Sequence, residues 1–362
     1  MSAVAADSPA PKFCLAVLNP GGRDPFVNYA HGPGNPEDGG HPPVNYHAYA
    51  ACTRGAFFDS PRELLAQRDR FDAVLVLIRS RVWVSLEAIQ ALKNAAPELM
   101  VLAAWKEAGP YQIADQLHSA KALQAYQDLL SLADGILSPT AALPPRWGWL
   151  SAEEFEQKTR FIPTPYPLEF AEWDLSRPVE KREGIMLGTR QFFVPTRNHL
   201  QALSRAAVLA EELAVPVTVI NSDKRKGRVL LRQLELSFPE SRLRVQGPLS
   251  YDRYLRLMAK HRLVYQLDRS YVPGQVAGDA ALCRTLCAGG NSALEGVIFP
   301  DLADDGTGSL AAIDDRIANL LSDGAAYQAA VAESENRAQE QASYGVVARQ
   351  LAGFVAELRE QR

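Results

Sequence analysis

Short runs of apolar residues alternate in the first half of the chain with longer segments whose apolar residues recur at helical spacing. The apolar runs predict buried strands at 13–18, 56–58, 72–78, 99–104 and 135–137. The amphipathic segments predict helices at 44–54, 61–68 and 83–96, and two helical stretches within about 111–132. Because strands that are apolar throughout are covered on both faces, this pattern predicts a parallel sheet between two layers of helices.

The same alternation restarts at Gly184, after a stiff, proline-rich connector at 160–167. Strands are predicted at 184–187, 217–220, 243–245, 263–267 and near 296–299. Helices are predicted at 197–213, after 221–228, at 251–260, at 275–286 and through most of 311–362. The chain is therefore predicted to be an α/β protein with two Rossmann-like, doubly wound parallel-sheet domains facing each other. The predicted domains span 1–165 and 166–340, and the helix at 341–362 is a candidate to pack back on the first domain.

The composition and charge of the chain argue against several classes of protein. The chain has 362 residues, 47% of them hydrophobic and 22% charged, with a formal net charge of −4. This argues against a disordered chain and against a protein whose whole surface binds nucleic acid, but leaves room for a local basic cleft. Four cysteines without metal-site spacing suggest reduced thiols, so we expect a cytoplasmic protein. Neither a transmembrane segment nor a signal peptide is expected, because no apolar run approaches the required length.

Loops of the second half fall beyond the carboxyl ends of predicted strands, where open parallel sheets bind ligands. They carry glycines that let the backbone approach a ligand, cations that can bind phosphate oxygens, and polar residues ahead of predicted helices. The candidates are Gly188, Thr189, Arg190, Arg197, Asn221, Lys224, Arg225, Asp268, Arg269, Gly274, Gln275 and Asp279. Each also has an ordinary interpretation as a surface cation, a turn glycine or a helix-capping acid. Their convergence on one edge of one predicted sheet favours a binding site.

Four stretches of the chain resemble GT-B-fold, nucleotide-sugar-dependent glycosyltransferases that carry an E-x7-E element. They are the IPNGVD-like segment 161–170, the loop 188–190, the strand–loop–helix 245–255, and the GLPALEAMACGTPV-like segment 274–287. In the last alignment Asp279 stands at the second glutamate of the element and Tyr271 at the first. Residues 284–286 replace the Gly-Thr-Pro that follows the helix in that family.

The resemblance implies a GT-B fold whose first domain receives the acceptor and whose second domain binds the donor. It implies transfer of a sugar from a nucleotide-diphosphate sugar, with no other cofactor, to an acceptor that the sequence leaves open, a nucleic acid included. The departing diphosphate would be stabilised by basic side chains without a metal ion, first by Arg190, with Lys224, Arg225 or Arg269 as alternatives. Asp279 would bind the ribose of the donor.

A general base for the acceptor, if the reaction needs one, is expected from the first domain. The candidates are Glu107, His47, His41 and Asp24, of which we take Glu107 and His47 as catalytic; a surface ion pair is the plain alternative for Glu107. Aromatic residues of this half could stack on an acceptor, although packing is their commoner role: Trp105, Tyr111, Trp147 and Trp149.

Two other functions stay open at the level of the sequence. One is a nucleotide-sugar epimerase, which needs acidic and histidine groups converging on the sugar. The other is a GT-B-like binding or scaffold protein without catalysis, which Tyr271 in place of the first glutamate favours.

Overall fold

The computed structural model describes residues 13–35, 40–146, 150–188, 192–235, 242–304 and 306–362. The chain divides into two compact units. Unit 1 comprises the residues up to Gly34 together with Pro43–Pro165 and Tyr344–Arg362, and unit 2 comprises Asn35–Pro42 and Tyr166–Ser343.

Within the described residues, unit 1 is built on a seven-stranded sheet. Its strands are β1 (Leu15–Leu18), β2 (Val27–Asn28), β3 (Ala56–Phe58), β4 (Ala73–Ile78), β5 (Met100–Trp105), β6 (Gly135–Ser138) and β7 (Thr159–Phe161). Their order is β2-β3-β1-β4-β5-β6-β7, with β2 antiparallel to β3 and all other pairs parallel. The strand order reverses at β1, so the topological switch point of this sheet lies between the carboxyl ends of β1 and β4.

The helices of unit 1 between these strands are α1 (Tyr46–Cys52), α2 (Pro61–Leu65), α3 (Val82–Ala95), α4 (Pro110–Gln116), α5 (Ala120–Leu132) and α6 (Ala152–Lys158). Some of them begin at side-chain caps. The hydroxyl of Ser60 accepts from the backbone N–H of Glu63 ahead of α2, and Ser151 and Glu154 form a reciprocal capping box ahead of α6.

Two parts of unit 1 differ from the sequence prediction. The segment 23–43, for which no strand or helix is predicted above, contains β2. The predicted connector begins with β7, which follows the unpredicted helix α6. β2 and β7 are the two edges of the sheet. In β7 only Thr159 is buried while Arg160 is exposed, so neither strand shows the continuous apolar run by which a central strand is recognised.

In the part of unit 2 that the structure covers, five parallel strands form a second sheet. They are β8 (Ile185–Leu187), β9 (Val217–Ile220), β10 (Leu243–Gln246), β11 (Leu263–Tyr265) and β12 (Leu286–Ala288). The order β10-β9-β8-β11-β12 is the 3-2-1-4-5 order of a mononucleotide-binding Rossmann sheet, and its switch point lies between β8 and β11.

The helices of unit 2 correct two predictions. They are α7 (His199–Glu212), α8 (Lys224–Glu235), α9 (Tyr251–Met258), α10 (Gln275–Leu282), α11 (Ala293–Ile298), α12 (Leu310–Ser322) and α13 (Gly324–Ala342). The strand predicted near 296–299 is wrong, because Ser292 and Glu295 form a capping box that starts α11 there. The helix predicted at 275–286 ends at Leu282, because Arg284 takes a φ of 50° and turns the chain into β12.

The helix α14 (Tyr344–Glu360) belongs to unit 1. It packs beside β6, where a Cβ at Gly135 would lie 2.4 Å from Cδ1 of Leu358 and 3.1 Å from Cζ of Phe354. Beyond the helix, the guanidinium of Arg362 lies 2.7 Å from a carboxylate oxygen of Asp134. Short 3-10 turns occupy Arg68–Arg70, Ala171–Trp173, Val179–Lys181 and Pro195–Arg197. None of the helices described is both long enough and apolar enough to cross a membrane.

Candidate functional site

The carboxyl ends of β8 and β11 lie side by side at the switch point of the second sheet. Gly188 follows β8, and its backbone N–H donates to the carbonyl oxygen of Tyr265 at 2.9 Å. A Cβ at Gly188 would lie 2.7 Å from Cγ1 of Val276 and 2.9 Å from Cγ1 of Val264. The bare Cα of Gly188 therefore lets α10 pack closely on the sheet, and the close approach of a ligand to its backbone stays a prediction.

A buried carboxylate, Asp268, organises the loop that follows β11. Its Oδ2 pairs with the guanidinium of Arg197, and its Oδ1 accepts from the backbone N–H of Ser270 at 3.0 Å and from the Ser270 hydroxyl. Only 4% of the Asp268 side chain is exposed, against 24% of Arg197. The structure thus brings two predicted residues together, and the carboxylate compensates much of the charge that Arg197 was predicted to offer to a phosphate.

Arg269, the next residue along the chain, is held by a second buried carboxylate. Its guanidinium lies 2.7 Å from Oδ2 of Asp304, and its backbone N–H donates to the carbonyl oxygen of Thr196 at 2.9 Å. Almost half of the Arg269 side chain, 48%, remains exposed. This arrangement fixes the direction of the cation while leaving it accessible to an anion.

The helix α10 begins directly after Gly274, which adopts a φ of 100° in the left-handed region. A Cβ at Gly274 would also lie 2.4 Å from Oγ of Ser292, so both the conformation and the space require glycine. The first turn of α10, starting with the half-buried Gln275, presents backbone N–H groups and the positive end of the helix dipole. This end of the helix suits an anion, and the binding role of Gly274 and Gln275 stays a prediction.

Asp279 lies inside α10 with only 1% of its surface exposed. Its Oδ1 accepts from the hydroxyl of Tyr166 at 3.2 Å and from the hydroxyl of Tyr251. The ring of Tyr166 packs directly on the helix, since a Cβ at Gly278 would lie 2.1 Å from its Cε2. Burial and the negative charge of Asp279 raise the pKa of Tyr251 well above its usual value. A ribose that hydrogen-bonds to Oδ1 would have to displace one of the tyrosine hydroxyls, and the ribose role stays a prediction.

The basic cluster that follows β9 lies at the start of a helix and not in a loop, which corrects the prediction. The side chain of Asn221 closes the turn: its Oδ1 accepts from the N–H of Asp223 at 3.1 Å and its Nδ2 donates to the carbonyl of Lys224 at 3.0 Å. Lys224 and Arg225 are exposed in the first turn of α8. Positive side chains at a helix N-terminus are repelled by the positive end of the helix dipole, so helix stability does not explain the position of Lys224 and Arg225. A bound anion would reduce this repulsion.

Thr189 and Arg190 lie outside the described residues. The role of Arg190 in stabilising the diphosphate therefore stays a prediction from the sequence. On the C-terminal side of Arg190, the backbone N–H of Phe192 donates to Oδ2 of Asp223 at 2.9 Å. This bond ties the segment after Arg190 to the turn that precedes α8.

The predicted catalytic residues of unit 1 have different surroundings. His47 lies on α1, where its Nδ1 is 2.8 Å from the hydroxyl of Tyr29 and its ring stacks on Phe57 at 3.7 Å between centroids. Glu107 is exposed after β5 and lines a cavity of about 280 Å³. His41, which we expected in the first domain, groups with unit 2, where its ring meets that of Tyr251 edge-on.

The aromatic candidates for acceptor stacking are also sorted by the structure. Trp105 is buried in β5 and packs against Tyr126 at 5.1 Å between ring centroids, which is the packing role that we took as the commoner one. Tyr111 is exposed at the same cavity as Glu107. Trp147 and Trp149 lie outside the described residues.

Sequence reasoning missed two groups of residues. One is the pair Tyr166 and Tyr251 around the α10 carboxylate, for which separate positions in the chain give no signal. The other is Arg79 and Arg81, which line a cavity of about 420 Å³ in unit 1; their signal is a pair of arginines directly after a buried strand. Among the described residues, no group of three or more His, Cys, Asp or Glu side chains is placed to hold a metal ion.

By sequence, the chain matches no protein-family model and no curated protein. By fold it is similar to solved glycosyltransferase structures. One is the sucrose-phosphate synthase of Thermosynechococcus elongatus, at a TM-score of 0.58 and 15% identity over 97% of this chain and 100% of that chain. A second is a UDP-forming α,α-trehalose-phosphate synthase from Burkholderia xenovorans, at 0.57 and 14% over 83% and 78%. A third is Anabaena HepE in complex with UDP-glucose, at 0.55 and 12% over 94% and 99%.

Identities this low define the fold alone. The two Rossmann-like parallel sheets together with these similarities confirm the predicted GT-B fold.

Proposed function

We propose that this chain is a glycosyltransferase that moves a sugar from a nucleotide-diphosphate sugar to an acceptor. The observation that carries the proposal is the position of the candidate residues: Asp268, Arg269 and Gly274 lie at the carboxyl edge of a sheet with mononucleotide-binding strand order. Two proteins of similar fold support it, because HepE was solved with UDP-glucose and an α-glucosyltransferase with UDP.

In the proposed reaction the bond between the sugar C1 and the diphosphate oxygen breaks, and the diphosphate leaves with the electron pair. Basic side chains stabilise the charge that develops on the leaving group without a metal ion. Arg190 is the first candidate, with Lys224 and Arg225 at the start of α8. Arg269 is a further one, because Asp304 already fixes its guanidinium and little rearrangement is needed when charge develops.

An acceptor hydroxyl oxygen forms the new bond to C1, and its proton passes to a general base and then to water. The proposed base is Glu107, an exposed carboxylate at the wall of a cavity. His47 is the alternative, although the contact with Tyr29 and the stacking on Phe57 already occupy its ring.

Donor binding is tested by thermal unfolding with UDP, GDP and ADP. A ligand at a hundred times its Kd stabilises the protein by about 2.7 kcal/mol, which raises the Tm of a domain this size by roughly 5–10 °C. The variants Arg190→Gln and Arg269→Gln are expected to abolish most of this shift. Arg253→Gln, which removes an exposed charge from α9, is the matched control and keeps it. A chain indifferent to all three nucleotides would refute the proposal.

A nucleotide-binding protein without catalysis is the second candidate. It is favoured by the enclosed Asp279 and by the half-exposed Tyr271 at the position of the first glutamate. Release of a labelled sugar from nucleotide sugars separates the two functions: UDP binding without turnover supports the second candidate. Turnover that needs no added acceptor would point to epimerisation or hydrolysis.

A further inference from the structure

Unit 1 contains a cavity of about 420 Å³ at the switch point of its own sheet. The wall is formed by residues that follow three neighbouring parallel strands: Gly21 after β1, Arg79 and Arg81 after β4, and Lys106 after β5. Open parallel sheets bind ligands at this place, and small-molecule sites have volumes of about 300–1,000 Å³. Position and size therefore both fit a ligand site that is separate from the donor site proposed in unit 2.

The wall of this cavity is strongly cationic. It carries four cations, Arg23, Arg79, Arg81 and Lys106, and a single carboxylate, Asp24. This local excess of positive charge stands against a net charge of −4 for the whole chain. Nζ of Lys106 lies 3.2 Å from Oδ2 of Asp24, so the one carboxylate is already paired. None of the three arginines has a carboxylate within 4.0 Å in the residues that the structure covers.

The backbone adds to this preference for anions. Arg81 is the N-cap residue of the 14-residue helix α3 and makes no side-chain capping hydrogen bond. The first turn of the helix, which borders the cavity through Val84, therefore presents backbone N–H groups without a side-chain cap. The loop after β1 passes close by, since a Cβ at Gly21 would lie 3.5 Å from Cγ1 of Val84. A phosphate in the cavity could bind the guanidinium groups of Arg79 and Arg81 and would lie at the positive end of the α3 dipole.

A second cavity of about 280 Å³ adjoins the first and shares Arg79, Ser80 and Lys106 with it. The rest of its wall is different in chemistry, with carboxylate, amide and phenol groups: Glu107, Tyr111, Gln112, Asp115 and Gln116. Such groups hydrogen-bond to hydroxyls and do not attract a second anion. The two cavities together fit a ligand with a phosphate at one end and several hydroxyls at the other.

We propose that these adjoining cavities bind a sugar phosphate as the acceptor, with its phosphomonoester among Arg23, Arg79 and Arg81 and its hydroxyls facing Glu107. A phosphomonoester carries close to two negative charges at neutral pH, which matches three arginines that have no carboxylate partner among the described residues; Arg79 donates only to the side-chain oxygen of Asn19, at 3.4 Å. A single concave cluster of charge suits a small ligand better than the extended backbone of a nucleic acid. Binding of the sugar phosphate is a property of unit 1 alone, whereas the role of acceptor rests on the proposed function.

The test is calorimetric titration of the full chain with glucose, mannose and galactose 6-phosphates. The parent hexoses and inorganic phosphate serve as the other probes, and UDP is titrated separately. Each of the variants Arg79→Gln and Arg81→Gln is expected to weaken binding of the hexose phosphate about ten- to a hundredfold, because each removes a charged hydrogen bond. Arg62→Gln, which removes an exposed charge from α2, is the matched control and leaves binding unchanged. UDP binding is expected to stay the same in all three variants.

The proposal is overturned if no hexose phosphate binds, or if Arg81→Gln behaves like Arg62→Gln. Inorganic phosphate that binds as tightly as every hexose phosphate would overturn the assignment of a sugar. Hexose phosphate that binds but does not stimulate consumption of a labelled nucleotide sugar, in a chain that binds UDP, overturns the acceptor role. Absence of UDP binding counts against the proposed function. In that case the titration of hexose phosphates alone still shows whether the cavity of unit 1 binds a sugar phosphate.

Discussion

Acidification from about pH 7.5 to about pH 5 is expected to destabilise unit 2, because two of its histidines are buried in the neutral form. His199 and His261 are 1% and 3% exposed, and loss of hydration lowers the pKa of each from 6.5 to about 4. The charges of Asp223 and Glu183 act in the opposite direction without cancelling this effect.

The surroundings of His261 hold it as a neutral imidazole. Its Nδ1 lies 2.9 Å from the carbonyl oxygen of Leu257, which can only accept, so Nδ1 carries the proton and donates. Its Nε2 then accepts from the hydroxyl of Thr218 at 2.8 Å. Protonation of Nε2 would remove this acceptor and place a charge in the core of unit 2.

The magnitude follows from the two pKa values. Between the unfolded pKa of 6.5 and the folded pKa of about 4, the unfolded chain binds more protons than the folded one. The contribution of each buried neutral histidine to the free energy of unfolding is therefore complete above the unfolded pKa. It is lost as the pH falls towards the folded pKa. At pH 5 the loss is about 2 kcal/mol for each histidine and about 4 kcal/mol for both.

Hydrogen exchange of unit 2 peptides, measured by mass spectrometry at a series of pH values after correction for the intrinsic exchange rate, checks this expectation. The variant His261→Gln is expected to lose about 2 kcal/mol of opening free energy over the interval, against about 4 kcal/mol in the parent chain. His118→Gln removes an exposed histidine of unit 1 and is expected to behave like the parent. A pH dependence that His261→Gln leaves unchanged would refute the reasoning, whatever the constant cost of the substitution.

Substitutions at three further positions test the surroundings of α10 and α11. Gly274→Ala forces a left-handed alanine and brings a Cβ to 2.4 Å from Oγ of Ser292, so we expect a loss of about 3 kcal/mol and of UDP binding; an unchanged Tm would contradict this. Glu295→Ala leaves the backbone N–H groups of Gly290 and Ser292 without their buried acceptor and is expected to cost about 3 kcal/mol in urea unfolding, whereas Glu295→Gln costs less; equal losses would argue against the capping role. Tyr251→Phe removes one donor from the buried carboxylate of α10, and if a ribose hydroxyl replaces that donor, UDP raises the Tm of the variant more than that of the parent; equal shifts would count against ribose binding there.

The central strands could be predicted from the sequence because burial on both faces leaves a long apolar run, as at 73–78 and 100–105. The short elements could not. The sequence from Ser292 to Glu295 contains the signal of a capping box, but the apolar run that ends α11 outweighed it in the prediction. Only a helix geometry lets the serine hydroxyl and the glutamate carboxylate satisfy each other's backbone N–H groups.

The candidate site, like the fold, was predicted from the sequence only in part. The residue types that face the edge of the second sheet could be predicted, because parallel strands all end at the same edge. The contacts between these residues could not be predicted, because the partners are far apart in the sequence: Arg197 lies 71 positions before Asp268, and Tyr166 lies 113 positions before Asp279. The cationic cavity of unit 1 was missed for the same reason: Arg23 follows β1, Arg79 and Arg81 follow β4, and Lys106 follows β5, so the four cations meet only in the folded sheet.

The position of α14 has a consequence for the folding of the protein during its synthesis on the ribosome. Synthesis proceeds from the N-terminus, and domains generally fold as they emerge. Here the whole of unit 2 leaves the exit tunnel before α14 does, while β6 still awaits the helix that covers Gly135. Nascent unit 1 therefore carries an uncovered apolar face throughout that interval, and a premature stop codon anywhere after Ser343 and before Leu358 would damage the unit that was translated first.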